Sequence, residues 1–169
     1  GRPKWKLLNQ KVSQMPKMMS KNDIEVIKNS ISRYLSMREH SKLELEEKLL
    51  KKYFEKNLVL RCINEFSEKD LQSDYRYAES FIRTKFNDHK GEHFIRSSLK
   101  SKGISIDVID KILLEYNYDD WLAKAISALE KKVFKNNLSE TDKKKKQNIF
   151  LNNRGFTFKI IDNAINEYW

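Results

Sequence analysis

The sequence predicts an all-α fold of three tandem three-helix repeats, nine helices in total. Gly and Pro are scarce, at 4 and 2 of 169 residues, whereas all-β folds need many turns built from them. Apolar residues recur at helical spacing along the chain. One segment is also written twice, as SKGISIDVIDKILLEY at residues 101–116 and NRGFTFKIIDNAINEY at residues 153–168. Because a single unit of this size buries little surface, we expect the repeats to stack into an elongated, curved array.

The duplicated segment predicts the end of one helix and the start of the next. Gly103 and Gly155 occupy equivalent positions. Glycine adopts at little cost the left-handed conformation that ends many helices. Ser105 and Thr157 follow two residues later, where the N-caps of the next helices are expected.

A third copy lies upstream, at residues 49–66, which gives a period of about fifty residues. Tyr53 stands there at the glycine position. A bulky residue in the left-handed conformation costs about 1 kcal/mol or more, so we expect this first turn to be built differently. The period divides the body of the chain into repeats at residues 22–70, 71–117 and 118–169.

Each repeat is predicted to hold three helices, each with an apolar face. The apolar face of the first helix includes Ile27 and Ile31 in the first repeat, Tyr77 and Ile82 in the second, and Trp121 and Leu129 in the third. The middle helices are predicted at roughly 41–52, 91–102 and 141–154. Cys62 aligns with the apolar positions Ile112 and Ala164, so we interpret it as a core residue without a redox role.

The net charge of +10 is unevenly distributed. Residues 1–21 hold six of the 34 basic side chains and none of the 24 acidic ones, which leaves 28 against 24, a net +4, in the remainder. The overall charge therefore overstates how basic the folded part is. We expect residues 1–21 to be a flexible basic tail.

Several classes of function are disfavoured. There is no run of 18 apolar residues and no apolar secretion signal, so we expect a cytoplasmic protein without a membrane span. No phosphate loop, nucleophile–base pair or carboxylate pair among apolar residues is present, and we expect neither catalysis nor a cofactor. His89 and His93 have metal-ligand spacing, but Gly91 interrupts the helix between them and no third ligand is apparent. We therefore predict no metal site.

Two basic stretches are candidates for contact with a partner. Residues 83–103 hold six basic side chains against two acidic ones, and residues 131–154 hold eight against two. Such runs are often only a solvated face, but they also favour a surface that attracts DNA phosphate or acidic protein. The candidate binding residues are Arg76, Arg83, Lys85, Arg96, Lys100, Lys102, Lys144, Lys145 and Arg154.

Four short motifs resemble those of one protein family. The first is DYRYA at 74–78 with FIR at 81–83, and the second is REHS at 38–41 with Leu45 and Leu49. The third consists of Gly91, Ile95, Arg96 and Leu99 with KGI at 102–104, and the fourth is FL at 150–151 with RGF at 154–156. Together they resemble the RecX family, bacterial regulators of the RecA recombinase. The resemblance covers the chain from about residue 28 to its end. Tyr53 and the EHF sequence after Gly91 depart from the family pattern.

The resemblance implies a three-repeat helical protein that binds RecA–DNA filaments and acts without catalysis. It implies modulation, most simply inhibition, of ATP hydrolysis, strand exchange and cleavage of the SOS repressor. We expect a monomer that makes at most weak, salt-dependent contacts with DNA. The alternative is a direct DNA-binding helical-repeat protein that uses its basic surface, since three-helix units can resemble helix-turn-helix modules. The body charge of only +4 argues against strong DNA binding by the folded part alone.

Overall fold

The computed structural model describes residues 20–169, and within them it contains nine α-helices and no strand, which confirms the all-α prediction. The predicted tail lies outside the described residues except for its last two. The helices are α1 (Ser20–Met37), α2 (Lys42–Leu50), α3 (Lys56–Glu68), α4 (Asp74–Asn87), α5 (Glu92–Ser101), α6 (Ile106–Leu113), α7 (Tyr118–Lys131), α8 (Glu140–Asn153) and α9 (Phe158–Tyr168).

Short polar side chains begin several of these helices. The Ser41, Ser105 and Thr157 hydroxyls each accept a hydrogen bond from the backbone N–H three residues further on, at 3.1, 3.3 and 3.4 Å. These bonds satisfy N–H groups that have no partner inside the helix. The predicted caps at Ser105 and Thr157 are therefore confirmed.

Left-handed glycines follow α5 and α8, as the duplicated segment predicts. The φ angle is 76° at Gly103 and 89° at Gly155. The next residue in each case donates its N–H back across the turn, from Ile104 to the Leu99 carbonyl at 3.1 Å and from Phe156 to that of Leu151 at 3.2 Å. This is the bonding pattern of a Schellman helix end.

The first turn differs from the other two only in part. Like them it contains a left-handed residue, but the N–H of Phe54 does not donate to the Leu49 carbonyl, the bond that closes each glycine turn. Tyr53 adopts a φ of 63°, in the same left-handed region as the two glycines. Its N–H donates to the Leu50 carbonyl at 3.0 Å. The side chain is 97% exposed, so its Cβ and ring press on nothing else. Only the intrinsic cost of the conformation, about 1–2 kcal/mol, remains.

The chain divides into two compact units, residues 1–74 and 75–169. In the described part of the first unit, helices α1 to α3 enclose a core in which Ile27, Ile31 and Leu45 are fully buried. Cys62 is 3% exposed in this core, as predicted, and burial raises the pKa of its thiol. It is therefore held in the un-ionised form.

In the second unit, helices α5 to α9 and the residues of α4 from Tyr75 onward share one continuous core. The predicted second and third repeats are therefore not independent of each other. Three aromatic rings lie where they meet: Phe86 is 4.9 Å from Tyr116 and 5.3 Å from Trp121, between ring centroids. Such edge-on arrangements stabilise a core beyond the area that they bury.

Among residues 20–169, no helix is both long and apolar enough to cross a membrane.

Candidate partner-binding surface

Three helix ends meet at one junction in the second unit. His89, with a φ of 61°, ends α4. The Arg154 guanidinium at the end of α8 donates to the carbonyls of Asp88 and His89, the latter at 2.8 Å. In return, the N–H groups of Gly91 and His93 at the start of α5 donate to the carbonyls of Arg154 and Gly155, at 2.8 and 2.9 Å. Helix-end groups that have no partner within their own helices are satisfied between helices.

The junction leaves no room for a side chain at two positions. A Cβ atom on Gly91 would lie 2.3 Å from the Gly155 carbonyl carbon, and one on Gly155 would lie 2.4 Å from the Cβ of Phe94. Gly91 has an ordinary φ of −85° as the N-cap of α5. Its requirement for glycine therefore comes from close approach and not from backbone conformation.

A depression of about 310 Å³ opens beside this junction, lined by His89, Ala128, Lys131, Lys132, Phe150 and Arg154. Its lining contains three permanent cations and no carboxylate. The His89 Nε2 lies 3.0 Å from the Ser127 hydroxyl. Burial lowers the pKa of His89, and the positive charges of Lys131, Lys124 and Arg154 lower it further, against a weaker opposite effect of Asp88.

A second depression of about 350 Å³ adjoins the first, because both include Lys132 and Phe150. Its lining adds Lys135, Lys146 and the apolar side chains of the α7–α8 connection, and again contains no carboxylate. The Phe150 ring has the Lys132 ammonium 5.5 Å and the Arg154 guanidinium 5.6 Å from its centroid. We call these two depressions together the cationic pocket.

A larger groove of about 720 Å³ runs between α8 and α9. Ile149 and Ile165 give it an apolar floor, and Ile149 is 59% exposed. Lys144 and Lys145 lie on its α8 side and Asp162 on its α9 side. An apolar floor beside two lysines suits an acidic, partly apolar protein segment.

The structure gives two of the nine predicted binding residues a structural part. Arg154 holds the helix junction, as described above. The Arg96 guanidinium pairs with Glu92 at 3.1 Å and with Asp110 at 2.6 Å, and so joins α5 to α6. Its charge is largely balanced inside the protein.

The other seven predicted residues differ in how available they are. Arg83, Lys100 and Lys145 are exposed, whereas Arg76, Lys85, Lys102 and Lys144 are half-buried. The Lys85 ammonium lies 5.5 Å from the Phe81 ring centroid. Lys144 pairs with Glu140 at 3.1 Å and lies 5.3 Å from the Trp169 ring. Of the nine, Lys144 and Lys145 line the α8–α9 groove together, and Arg154 lines the cationic pocket.

The REHS motif in the first unit has a structural role. Arg38 pairs with the buried Glu44 at 2.7 Å. The Lys48 ammonium, which can only donate, lies 2.9 Å from Nε2 of His40. The proton of that neutral ring therefore sits on Nδ1, which donates to the Arg38 carbonyl at 3.0 Å. His40 is 2% exposed, and burial lowers its pKa.

The two histidines with metal-ligand spacing do not share a helix. His89 follows α4 and faces Ser127, whereas His93 lies in α5. Among the described residues, no group of three or more His, Cys, Asp or Glu side chains is placed to hold a metal ion.

Sequence reasoning missed most of the cationic pocket. The two basic stretches contain four of its lining residues, but none of the four is among the nine candidate binding residues. They are His89, Lys131, Lys132 and Phe150. The stretches do meet, since His89 comes from the first and Lys131, Lys132 and Arg154 from the second. Charge counting identified the stretches, but which lysines line one cavity depends on how α4, α7 and α8 pack.

Comparison with known proteins gives consistent results. Residues 73–113 match the profile of a family described as "RecX, second three-helix domain". A protein named "Regulatory protein RecX" from Legionella pneumophila is 35% identical over 139 residues, which are 82% of this chain and 92% of that protein. The crystal structure of RecX from Lactobacillus salivarius superposes with a TM-score of 0.77 at 30% identity, over 88% of this chain and 97% of that one.

A further crystal structure, of "regulatory protein RecX", has a TM-score of 0.80 at 23% identity. It covers 90% of this chain and 78% of that one. At this lower identity the likeness concerns the fold alone.

Proposed function

The chain belongs to the family of RecX regulatory proteins, and we propose on that basis that it regulates the RecA recombinase by binding RecA–DNA filaments. The observation that carries the proposal is the 35% identity that extends over 92% of the Legionella protein. We further propose that binding lowers the ATPase, strand-exchange and repressor-cleavage activities of the filament. The protein acts by occupying a surface, without catalysis of its own.

Two features of the second unit support contact with a large partner. The α8–α9 groove combines exposed apolar surface with Lys144 and Lys145 at its edge. Arg83 and Lys85 on α4 supply a further basic pair. Apolar contact contributes affinity, and charge complementarity speeds and orients docking. We propose the groove as the primary RecA-facing surface and the α4 pair as an accessory one.

The proposal predicts an effect on RecA's DNA-dependent ATPase. RecA is assembled on single-stranded DNA with ATP, and the full chain is titrated in. We expect the steady-state rate to fall in a saturable way at protein concentrations well below that of RecA, because one molecule bound along a filament affects more than one protomer. An unchanged rate at several-fold excess over RecA contradicts the proposal.

Charge-reversal pairs test which surface is used. We expect Lys144→Glu with Lys145→Glu to weaken filament inhibition about tenfold or more, and Arg83→Glu with Lys85→Glu to weaken it less. Arg96 is left unchanged, since reversal there would place three carboxylates together with Glu92 and Asp110. The matched control is Lys111→Glu with Lys159→Glu, two exposed residues of the same unit outside the groove. Equal losses in the control and in the groove variant would exclude the groove as the binding surface.

A further inference from the structure

The geometry of the cationic pocket points to a second binding site, one for consecutive backbone phosphates of a nucleic acid strand. The proposal is independent of RecA, because it concerns contact between this chain and nucleic acid alone. Its site also differs from the α8–α9 groove, with which it shares Ile149 but none of its cations.

All permanently charged side chains that line the pocket are positive. Lys131, Lys132 and Arg154 line the first depression, and Lys135 and Lys146 extend the lining of the second, with no carboxylate in either. None of these five cations has a carboxylate within 4.0 Å among the described residues. Elsewhere in the unit, cations such as Arg96 are paired with acids. An anionic ligand would therefore meet uncompensated positive charge.

Part of the pocket is held rigidly in place. Two backbone carbonyls fix the Arg154 guanidinium, so it does not need to be ordered when a ligand binds. These carbonyls neutralise none of its charge. Burial lowers the pKa of His89, and the positive charges of the neighbouring cations lower it further, so the ring is kept neutral. A neutral ring can donate or accept a hydrogen bond at the wall of the pocket.

The length of the pocket favours a polymer over a single anion. An isolated phosphate would occupy one depression, whereas the two adjoin through Lys132 and Phe150 and both are cationic. Successive phosphates of a nucleic acid strand, held by lysines and arginines, release bound counterions and give salt-dependent affinity. The aromatic ring of Phe150 beside these cations is a further feature of surfaces that bind single strands.

Fluorescence anisotropy with a labelled oligothymidylate tests the site without RecA. The variant is Lys131→Ala with Lys132→Ala in the full chain, and both side chains are exposed, so the fold should tolerate their loss. The control is Lys111→Ala with Lys159→Ala, which removes the same charge from the same unit outside the pocket. Circular dichroism and thermal unfolding verify that both variants are folded.

We expect the pocket variant to bind about tenfold more weakly at low salt. The slope of log affinity against log salt should fall by roughly 1.4, because each phosphate that a lysine neutralises adds about 0.7 to the slope for a single strand. The control should bind at most about twofold more weakly, through the weaker general field. If both variants are weakened equally, the lysines act only through overall charge and the proposal is overturned.

A duplex of equal charge tests whether the site prefers single strands, and a duplex bound more tightly than the oligothymidylate would overturn that preference.

Nuclear magnetic resonance of the histidine rings gives a local readout, since the chain has three histidines. We expect the oligothymidylate to shift the His89 resonances in a saturable way and to leave those of His40, in the first unit, unchanged. Unmoved His89 resonances at saturation overturn the proposal. If inorganic phosphate shifts them at the same phosphate concentration, the pocket binds single anions and the assignment to a nucleic acid strand is wrong.

Discussion

The helix end at Tyr53 in the first unit and that at Gly155 in the second share a left-handed residue but have opposite surroundings. Both residues have a left-handed φ, 63° and 89°. Tyr53 is 97% exposed, whereas at Gly155 even a Cβ would lie 2.4 Å from Phe94. Glycine is therefore required at Gly155 by its neighbours as well as by conformation. At Tyr53 the conformation alone does not exclude a bulky residue.

The comparison shows that one structural device can perform two tasks. In the first unit the left-handed residue only ends a helix. In the second unit it also allows α8 to end directly against the start of α5, where Gly91 and His93 donate to the carbonyls of Arg154 and Gly155. The second task creates the junction beside which the cationic pocket lies.

The largest effect is expected when a side chain is placed in the junction. Gly155→Ala adds both the left-handed cost of about 1–2 kcal/mol and a steric clash, and should lower the free energy of unfolding by about 3 kcal/mol or more. Gly103→Ala is the matched control, because Gly103 is also left-handed but exposed. It should cost about 1–2 kcal/mol. Urea denaturation measures both losses of unfolding free energy. Equal losses in the two variants would show that the close approach at Gly155 adds nothing to the cost of the substitution.

A smaller effect of opposite sign is expected at Tyr53. Tyr53→Gly removes the left-handed cost, while glycine gives the unfolded chain more freedom, so we expect a gain of up to about 1 kcal/mol. Tyr53→Ala removes the ring but keeps the strained backbone, and should leave stability nearly unchanged. A gain in the alanine variant as large as that in the glycine variant would contradict the explanation by backbone strain.

The smallest effect is the pH dependence from one histidine in each unit. Burial lowers the folded-state pKa of both His40 and His89 below the value in the unfolded chain. The unfolded chain then binds more protons as pH falls below about 6.5, so stability should decrease as pH is lowered from about 7.5 to about 5.5. Hydrogen bonding also lowers the pKa of Glu65. A carboxylate titrates below this pH range, so Glu65 does not contribute to the predicted change.

Urea denaturation at several pH values measures this effect. Replacing His40 or His89 by Gln should flatten the pH dependence, and each variant reports on its own unit. A profile that is flat between about pH 5.5 and 7.5 in the unmodified chain would contradict the inferred pKa shifts.

The sequence by itself determined the helices and their ends. Apolar spacing predicted the faces of the helices, and the duplicated segment predicted the left-handed ends at Gly103 and Gly155 and the caps at Ser105 and Thr157. These features depend on interactions within a few residues, which local sequence specifies. The sequence misled at Tyr53, because the residue type carries a cost but does not report that the site is open to solvent.

Only the tertiary structure decided which charges are available to a partner. Arg96 and Arg154 have the same charge in the sequence as Arg83, yet one pairs with two carboxylates and the other holds backbone carbonyls of another helix. The cationic pocket combines His89 with Lys131 and Arg154, which lie far apart in sequence. Their proximity results from the packing of α4, α7 and α8, in which Arg154 donates to the His89 carbonyl and the His89 ring contacts Ser127. Electrostatic interactions depend on distances in space, and a charge count along the chain does not contain those distances.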